Sequence, residues 1–433
     1  MTEATAPTKA SYASSLPAWV LLSPLLVVYV VAALLLAPRH GFGGDEQPLL
    51  GYAHAILHGH YATTNTMDGD AYLWFGPAIP LLLAPMVWLH FPLEVMRLLC
   101  GPLLLWVAVV LFERLLRVRL ASGPALAGAF ALGLYLPYGY LLTSLAKEEL
   151  ALVFLIATML FLSRFIRDGA RRHALAAGVS LGALTYTRVE YGWVTIALVV
   201  AAGAWTLARR HHAVPRRLLA VAVIAVICCV PWLAYTRHVT GRLLYWGNSD
   251  GESLFWISQP QMDQLGEWHS VHVVFEDPSL ARYRPLFTRL DRLPPLQRND
   301  AYIHIAEHNV EAHPGKYLLN VAANVSRMIL AFPYSFVVPI YVLILYGASN
   351  LALLAALGRA LRRRRRWPPE ASALGLLAFL CVAIHVPISA DPRMLMPLVP
   401  LLLWPAVYAR WASITARPGQ GFWRHLIFCR RRL

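Results

Sequence analysis

Charge is scarce in this sequence. Charged residues are 14% of the 433, and 58% are hydrophobic, whereas an ordinary soluble domain is about a quarter charged. That balance excludes a water-soluble enzyme built on one core. Lysine is confined to Lys9, Lys147 and Lys316. Cysteine is limited to Cys100, Cys228, Cys229, Cys381 and Cys429, none at metal-type spacing, and four of the five lie inside apolar runs where a small packing residue belongs. Cys429, among arginines, reads as a free thiol, with acylation as the alternative. No repeat recurs at a fixed period, and Arg362–Arg366 is the sole low-complexity run.

What the sequence has instead is apolar runs near the roughly 20-residue length needed to span a bilayer. They cover 18–37, 94–112, 123–141, 149–163, 174–187, 191–208, 218–235, 336–358, 371–388 and 394–412. The first follows no basic stretch and precedes no small-residue cleavage site, so it reads as an uncleaved anchor. The net charge of +15 comes from arginine clusters set between these runs. That is the distribution of cytoplasmic loops, and it argues against nucleic acid as a partner.

The segment 73–90 carries Pro77, Pro80 and Pro85 and decides the topology. Treated as interfacial or re-entrant, it leaves most of the Lys and Arg inside together with only Glu3, Glu113, Asp168 and Glu370 among the acids, as the positive-inside rule favours. The expected fold is therefore an all-α polytopic membrane protein with about ten transmembrane helices. The expected parts are a cytoplasmic tail at 1–17, a membrane core at 18–235 including an external loop at 38–93, an external loop and interfacial helix at 236–335, membrane helices at 336–412, and a basic cytoplasmic tail at 413–433. Within the long loop, Asn299–Ala312 reads as a helix and Tyr317–Phe332 as an amphipathic helix on the membrane surface.

Polar residues then converge outside: Asp45 and Glu46, Lys147-Glu148-Glu149, Arg188 with Glu190, and Asp391 with Arg393. A carboxylate can orient or deprotonate a hydroxyl, and an arginine at a helix end suits a phosphate. Each has a plainer reading. Asp45 can cap a helix, Glu148 or Glu149 can snorkel at the membrane boundary, Lys147 can anchor at the interface, and Arg188 and Arg393 can pair with nearby acids. Trp246, Phe255, Trp256 and Trp268 can stack on a sugar face or anchor the loop in the interface. His54, His58 and His60 tempt a metal reading, but surface histidines are the default.

Several stretches, in order, resemble the C-type glycosyltransferase superfamily (GT-C), in its bacterial branch similar to protein O-mannosyltransferases and lipid A aminoarabinose transferases. "GDEQPLLGYAHAILHGHY" (44–61) is similar to that family's first external loop, "GPAIPLLLAP" (76–85) to its membrane-surface helix, and "LLTSLAKEELALVFLIATMLFL" (141–162) to its second external loop. "AAGVSLGALTYTRVEYG" (176–192) resembles the glycine-rich helix ending in a basic residue, and "GRLLYWGNSDGESLFWISQP" (241–260) the Ser/Asn-Gly-aromatic segment. "AHPGKYLLN" (312–320) resembles the return to the membrane. "DPRMLMPLVPLLL" (391–403) matches a late signature, with Met394 where an aromatic is usual.

The resemblance implies a GT-C-like arrangement and an inverting transfer of a sugar, a hexose or a pentose, from a polyprenyl-phosphate carrier to an acceptor outside a bacterial plasma membrane. Asp45, Glu46 and Glu148 are the implied catalytic acids. Arg188, Arg393, Lys147, Glu149, Tyr52, Asn248 and Trp256 are the implied substrate contacts. No cofactor is required, although Asp45 with Glu148 could hold Mg²⁺ or Mn²⁺. Acceptor identity (protein, lipid or polysaccharide) stays open. A polytopic transporter or lipid flippase is the alternative class, weakened by the lack of an inverted repeat. A membrane scaffold would leave the converging polar residues unexplained.

Overall fold

The computed structural model describes residues 16–36, 45–61, 73–362 and 367–415. Cys429, most of the Arg362–Arg366 run and both expected tails fall outside the described residues, apart from residues at their inner edges. Among the described residues every regular element is a helix. Six are long and apolar enough to cross a membrane: Leu93–Leu116, Glu148–Asp168, Tyr191–Ala208, Ala213–Thr240, Ile340–Arg362 and Pro392–Ala412. A seventh candidate is a bent pair, Ser122–Gly133 with Leu136–Leu142, turned by 62° at its break.

The count thus falls short of ten, although each of the ten apolar runs is helical. The 18–37 run is divided at Leu22 into Ala18–Leu21 and Ser23–Leu36. Arg171–Thr187 and Glu370–His385 are 17 and 16 residues long. The proline-bearing segment forms only the 11-residue helix Ala78–Trp88, about 16 Å at 1.5 Å per residue and too short to span.

Glu148–Asp168 is the most buried of the six spans. It packs against Leu93–Leu116 and Arg171–Thr187, as befits a helix apolar around most of its circumference. Its N-terminus, which carries Glu148, is held at the centre of the bundle's end. Gly76 brings the segment that precedes the helix Ala78–Trp88 against that end. A Cβ there would lie 2.1 Å from the Tyr186 carbonyl oxygen, so the backbone approaches as only glycine allows.

The long loop folds as a helical cap with its own core. Phe255, Trp256, Tyr283, Phe287 and Tyr302 are buried together, with ring centroids 5.1 Å apart for Trp256–Tyr283 and 5.3 Å for Phe255–Tyr302. Of the two helices expected near its end, the first is longer than read, at Pro295–Ala312, because Pro295 suits the first helical turn. The second, Pro314–Leu330, has its polarity turned inside out. Asn320, Asn324 and Arg327 are buried, while Leu318, Leu319 and Val325 are exposed. The helix is therefore amphipathic as expected, with its polar face turned to protein and an apolar face left exposed.

The buried face of that helix ties the cap to the membrane helices. Asn320 Nδ2 donates to the carbonyls of Ile257 and Gln259 at 2.8 and 3.1 Å. Asn324 Nδ2 and the Tyr317 hydroxyl donate to Val386 and Pro387 at 3.2 and 3.0 Å. Arg327 Nη2 donates to Leu265 at 2.8 Å. One helix therefore fixes the roof of the structure relative to its last membrane hairpin.

Candidate active site

Beneath the cap, at one end of the helices, lies a cavity of about 280 Å³. Asp45, Lys147, Arg188, Glu190 and Arg393 all line it, and they arrive from separate stretches of chain. Asp45 precedes the helix Glu46–Leu57, yet its side chain makes no capping hydrogen bond. Its carboxylate faces Arg393 instead, Nη1 to Oδ2 at 3.3 Å. Arg393 is presented by a turn in which Asp391 Oδ1 accepts the Arg393 backbone N–H at 3.0 Å.

Arg188 ends the helix Arg171–Thr187, where a cation suits the helix dipole. Its side chain is fully buried. Nε donates to Glu190 at 2.7 Å, Nη1 to Glu148 at 3.1 Å, and Nη2 approaches the Met394 sulfur at 2.9 Å. Met394, which stands where the late motif usually has an aromatic, thus packs on the guanidinium. Lys147 differs from both arginines. No carboxylate is paired with it among the described residues, and its Nζ lies 4.7 Å from the centre of the Phe75 ring.

These placements set the charge states. Burial alone would raise the Asp45 carboxyl, but Lys147, Arg393 and Arg188 together outweigh it and hold Asp45 below its ordinary range. The same contest leaves Glu190 at about 2, burial being overcome first by Arg188 and then by Lys147. Lys147 is lowered by burial, against the pull of Asp45. An anion beside it would reverse that shift.

The other residues singled out in the sequence lie elsewhere. Glu46 is sealed in a bidentate pair with Arg97, both bonds at 2.7 Å, and also accepts the Leu145 N–H at 2.8 Å. It does not line the cavity, and its carboxylate is occupied as a brace. Glu148 reaches the cavity only through Arg188, which makes it a positioning residue. Glu149 is wholly buried, with neither oxygen hydrogen-bonded among the described residues, and it too is off the wall.

Tyr52 and Asn248 are not among the residues that line the cavity. The Tyr52 hydroxyl accepts the Trp74 N–H at 3.2 Å. Asn248 Oδ1 accepts the Leu73 N–H at 2.9 Å, and the Leu73 carbonyl accepts the Asn248 N–H at 3.2 Å. Both clamp residues 73–74 beside the cavity wall. Trp256 belongs to the cap's own core. Sequence reasoning passed over Trp74 and His385, which do line the cavity. His385 had one signal, a lone histidine in an apolar run; Trp74 had none.

The expected divalent site fits poorly. Asp45 and Glu148 are each turned to an arginine, Glu148 does not face the cavity, and no trio of His, Cys, Asp or Glu side chains converges among the described residues. No step is derived through a metal.

No protein-family model matches the sequence, and no curated protein does. Solved structures do match in shape. The archaeal oligosaccharyltransferase AglB from Archaeoglobus fulgidus, in complex with an inhibitory peptide and a dolichol-phosphate, gives a TM-score of 0.51 at 14% identity, covering 96% of this chain and 54% of that one. The Archaeoglobus fulgidus oligosaccharyltransferase tethered to an acceptor peptide containing the NVT sequon gives 0.51 at 13%, covering 94% and 53%. The chain therefore spans about half the length of these proteins. Arabinosyltransferase EmbB from Mycobacterium smegmatis, at a TM-score of 0.38 and 15% identity over 97% of this chain and 44% of that one, is a looser likeness and adds no weight. At 13–14% identity the likeness to the archaeal oligosaccharyltransferase speaks for the fold: the chain has a GT-C-like membrane bundle under a helical cap.

Proposed function

We propose that the protein is an inverting glycosyltransferase that moves a sugar from a polyprenyl-phosphate carrier to an acceptor hydroxyl at the external face of the plasma membrane. The observation that carries this reading is the meeting of Asp45 with Lys147, Arg188 and Arg393 in one cavity at the end of the membrane helices. A lipid-linked donor would present its phosphate and sugar at that depth. AglB, whose fold is shared, was solved with a dolichol-phosphate, which supports a lipid-phosphate donor here.

In the proposed reaction the acceptor oxygen attacks the anomeric carbon opposite the phosphate. The bond from that carbon to the phosphate oxygen breaks, and polyprenyl phosphate leaves with the electron pair. Asp45 accepts the hydrogen bond of the attacking hydroxyl and takes its proton as the new bond forms. Because neighbouring cations hold Asp45 ionised, its main task is orientation, and the departing phosphate, the stronger base, receives the proton finally. Lys147 and Arg393 stabilise the negative charge that grows on the phosphate. Glu148 and Glu190 fix Arg188 in place, so that its positive charge needs no rearrangement during the reaction.

The test is incubation of purified protein with radiolabelled polyprenyl-phosphate sugars, hexose and pentose, and with the matching nucleotide sugars. Consumption of a lipid-linked donor with release of polyprenyl phosphate is the expected result. Use of nucleotide sugars alone would overturn the donor assignment. Movement of intact lipid-linked sugar across vesicles without bond cleavage would identify a flippase instead.

A further inference from the structure

The aromatic residues of the cap segment sort into three kinds of place. Phe255 and Trp256 are consumed by the cap core. Trp246 also lines the cavity but is buried, wedged onto Gly192, where a Cβ would lie 2.2 Å from the indole ring. Trp268 is different. It is 38% exposed, lines the cavity, and meets Trp74 at 6.2 Å between centroids and 70° between planes. The two rings form a corner in the cavity wall, one from the cap and one from the first external loop. A membrane anchor would have no need of that meeting.

Trp74 is built into this corner. Tyr52 binds its backbone N–H, and Asn248 grips Leu73 from both sides. Asn248 sits between Gly247 and Ser249, both on the cavity wall, so the clamp joins the first loop to the start of the cap. Asp250 and Ser253 line the same side. Ring faces beside short hydroxyl and carboxylate groups are what a pyranose or furanose ring requires: its C–H face packs on the aromatic, and its hydroxyls donate to the oxygens. A peptide acceptor held by strand addition needs an exposed strand edge, and no strand occurs among the described residues.

Resting on the glycosyltransferase reading above, we infer that the acceptor is itself a saccharide, bound in the Trp74–Trp268 corner with its reacting hydroxyl directed to Asp45. Tyr52 and Asn248 are positioning residues for this subsite. The transfer thus lengthens or branches a glycan, its hydroxyl oxygen replacing the carrier phosphate on the anomeric carbon.

The experiment is saturation-transfer NMR on the purified full chain, with mannobiose, galactobiose and arabinobiose as saccharide probes and a Ser/Thr-containing pentapeptide as the competing class. At least one disaccharide should receive saturation through its ring C–H protons, and the peptide none. Trp268→Ala should weaken the binding about tenfold, the effect of losing one stacked ring, while Trp268→Phe should keep most of it. Binding of the peptide alone, binding of neither class, or saccharide binding indifferent to Trp268→Ala overturns the inference. If saccharide binds as expected but no lipid-linked sugar is consumed, the glycosyltransferase reading fails and the saccharide site stands. If the donor is consumed and only peptide accepts the sugar, the reverse holds.

Discussion

Glu46 meets Arg97 through two 2.7 Å bonds, with both side chains almost entirely shielded. Asp45, one residue earlier, meets Arg393 through a single 3.3 Å contact between partly exposed groups on a cavity wall. Both are carboxylate–arginine pairs at the start of the same helix. In the first, both carboxylate oxygens are committed to a guanidinium in the protein interior. In the second, each group can be drawn away by an incoming ligand. A buried, saturated pair is a structural joint; a loosely held one at an opening is poised for exchange.

The sharpest way to break this comparison is to remove each acid in turn. Asp45→Asn should lower turnover by about 10²–10⁴-fold, the range for loss of acid–base help, while membrane insertion and thermal midpoint hold. Radiolabel transfer and a melting curve on the same preparation check both halves. Near-normal turnover would take Asp45 out of the mechanism. Glu46→Ala should do the opposite, removing the carboxylate that pairs bidentately with buried Arg97, at a cost of about 3–5 kcal/mol. It should be read as a lowered midpoint or poor yield. A stable Glu46→Ala protein that had lost transfer would reverse the roles given to the two acids.

A smaller effect sharpens the electrostatics. Lys147, which is in no ion pair among the described residues, should contribute to donor binding, so Lys147→Gln should raise the donor KM about tenfold, in line with one charge-assisted hydrogen bond. The same change should alter the pH profile. Asp45 is held below its ordinary value against burial, by Lys147 first among its cations, so it stays ionised until the pH drops below about 3.9, the usual aspartate value. Removing Lys147 lifts that carboxyl, and the acid limb of kcat/KM should move to higher pH. An unmoved limb would detach Lys147 from Asp45.

The glutamate–arginine joint also explains what could be read from the sequence. Helical runs were legible because apolar length is a local property. Their exact spans were less so, since the division at Leu22 and the bend before Leu136 depend on packing. Asp45, Lys147, Arg188 and Arg393 could be picked out because each sits where an apolar helix ends. The division of labour between Asp45 and Glu46 could not, because Glu46's partner lies 51 residues away and nothing local announces it. The bonds that Tyr52 and Asn248 make to the backbone of residues 73–74 were hidden for the same reason, since these partners are distant in sequence.

The inside-out helix Pro314–Leu330 carries a consequence for what counts as the intact protein. Its buried polar face grips the cap and the last hairpin, and its aliphatic face has no protein partner in the described residues. We propose that lipid supplies that partner, which would make the bilayer surface a datum plane for the roof of the cavity. Transfer into detergent should then shift that datum, and with it the roof that carries Trp268.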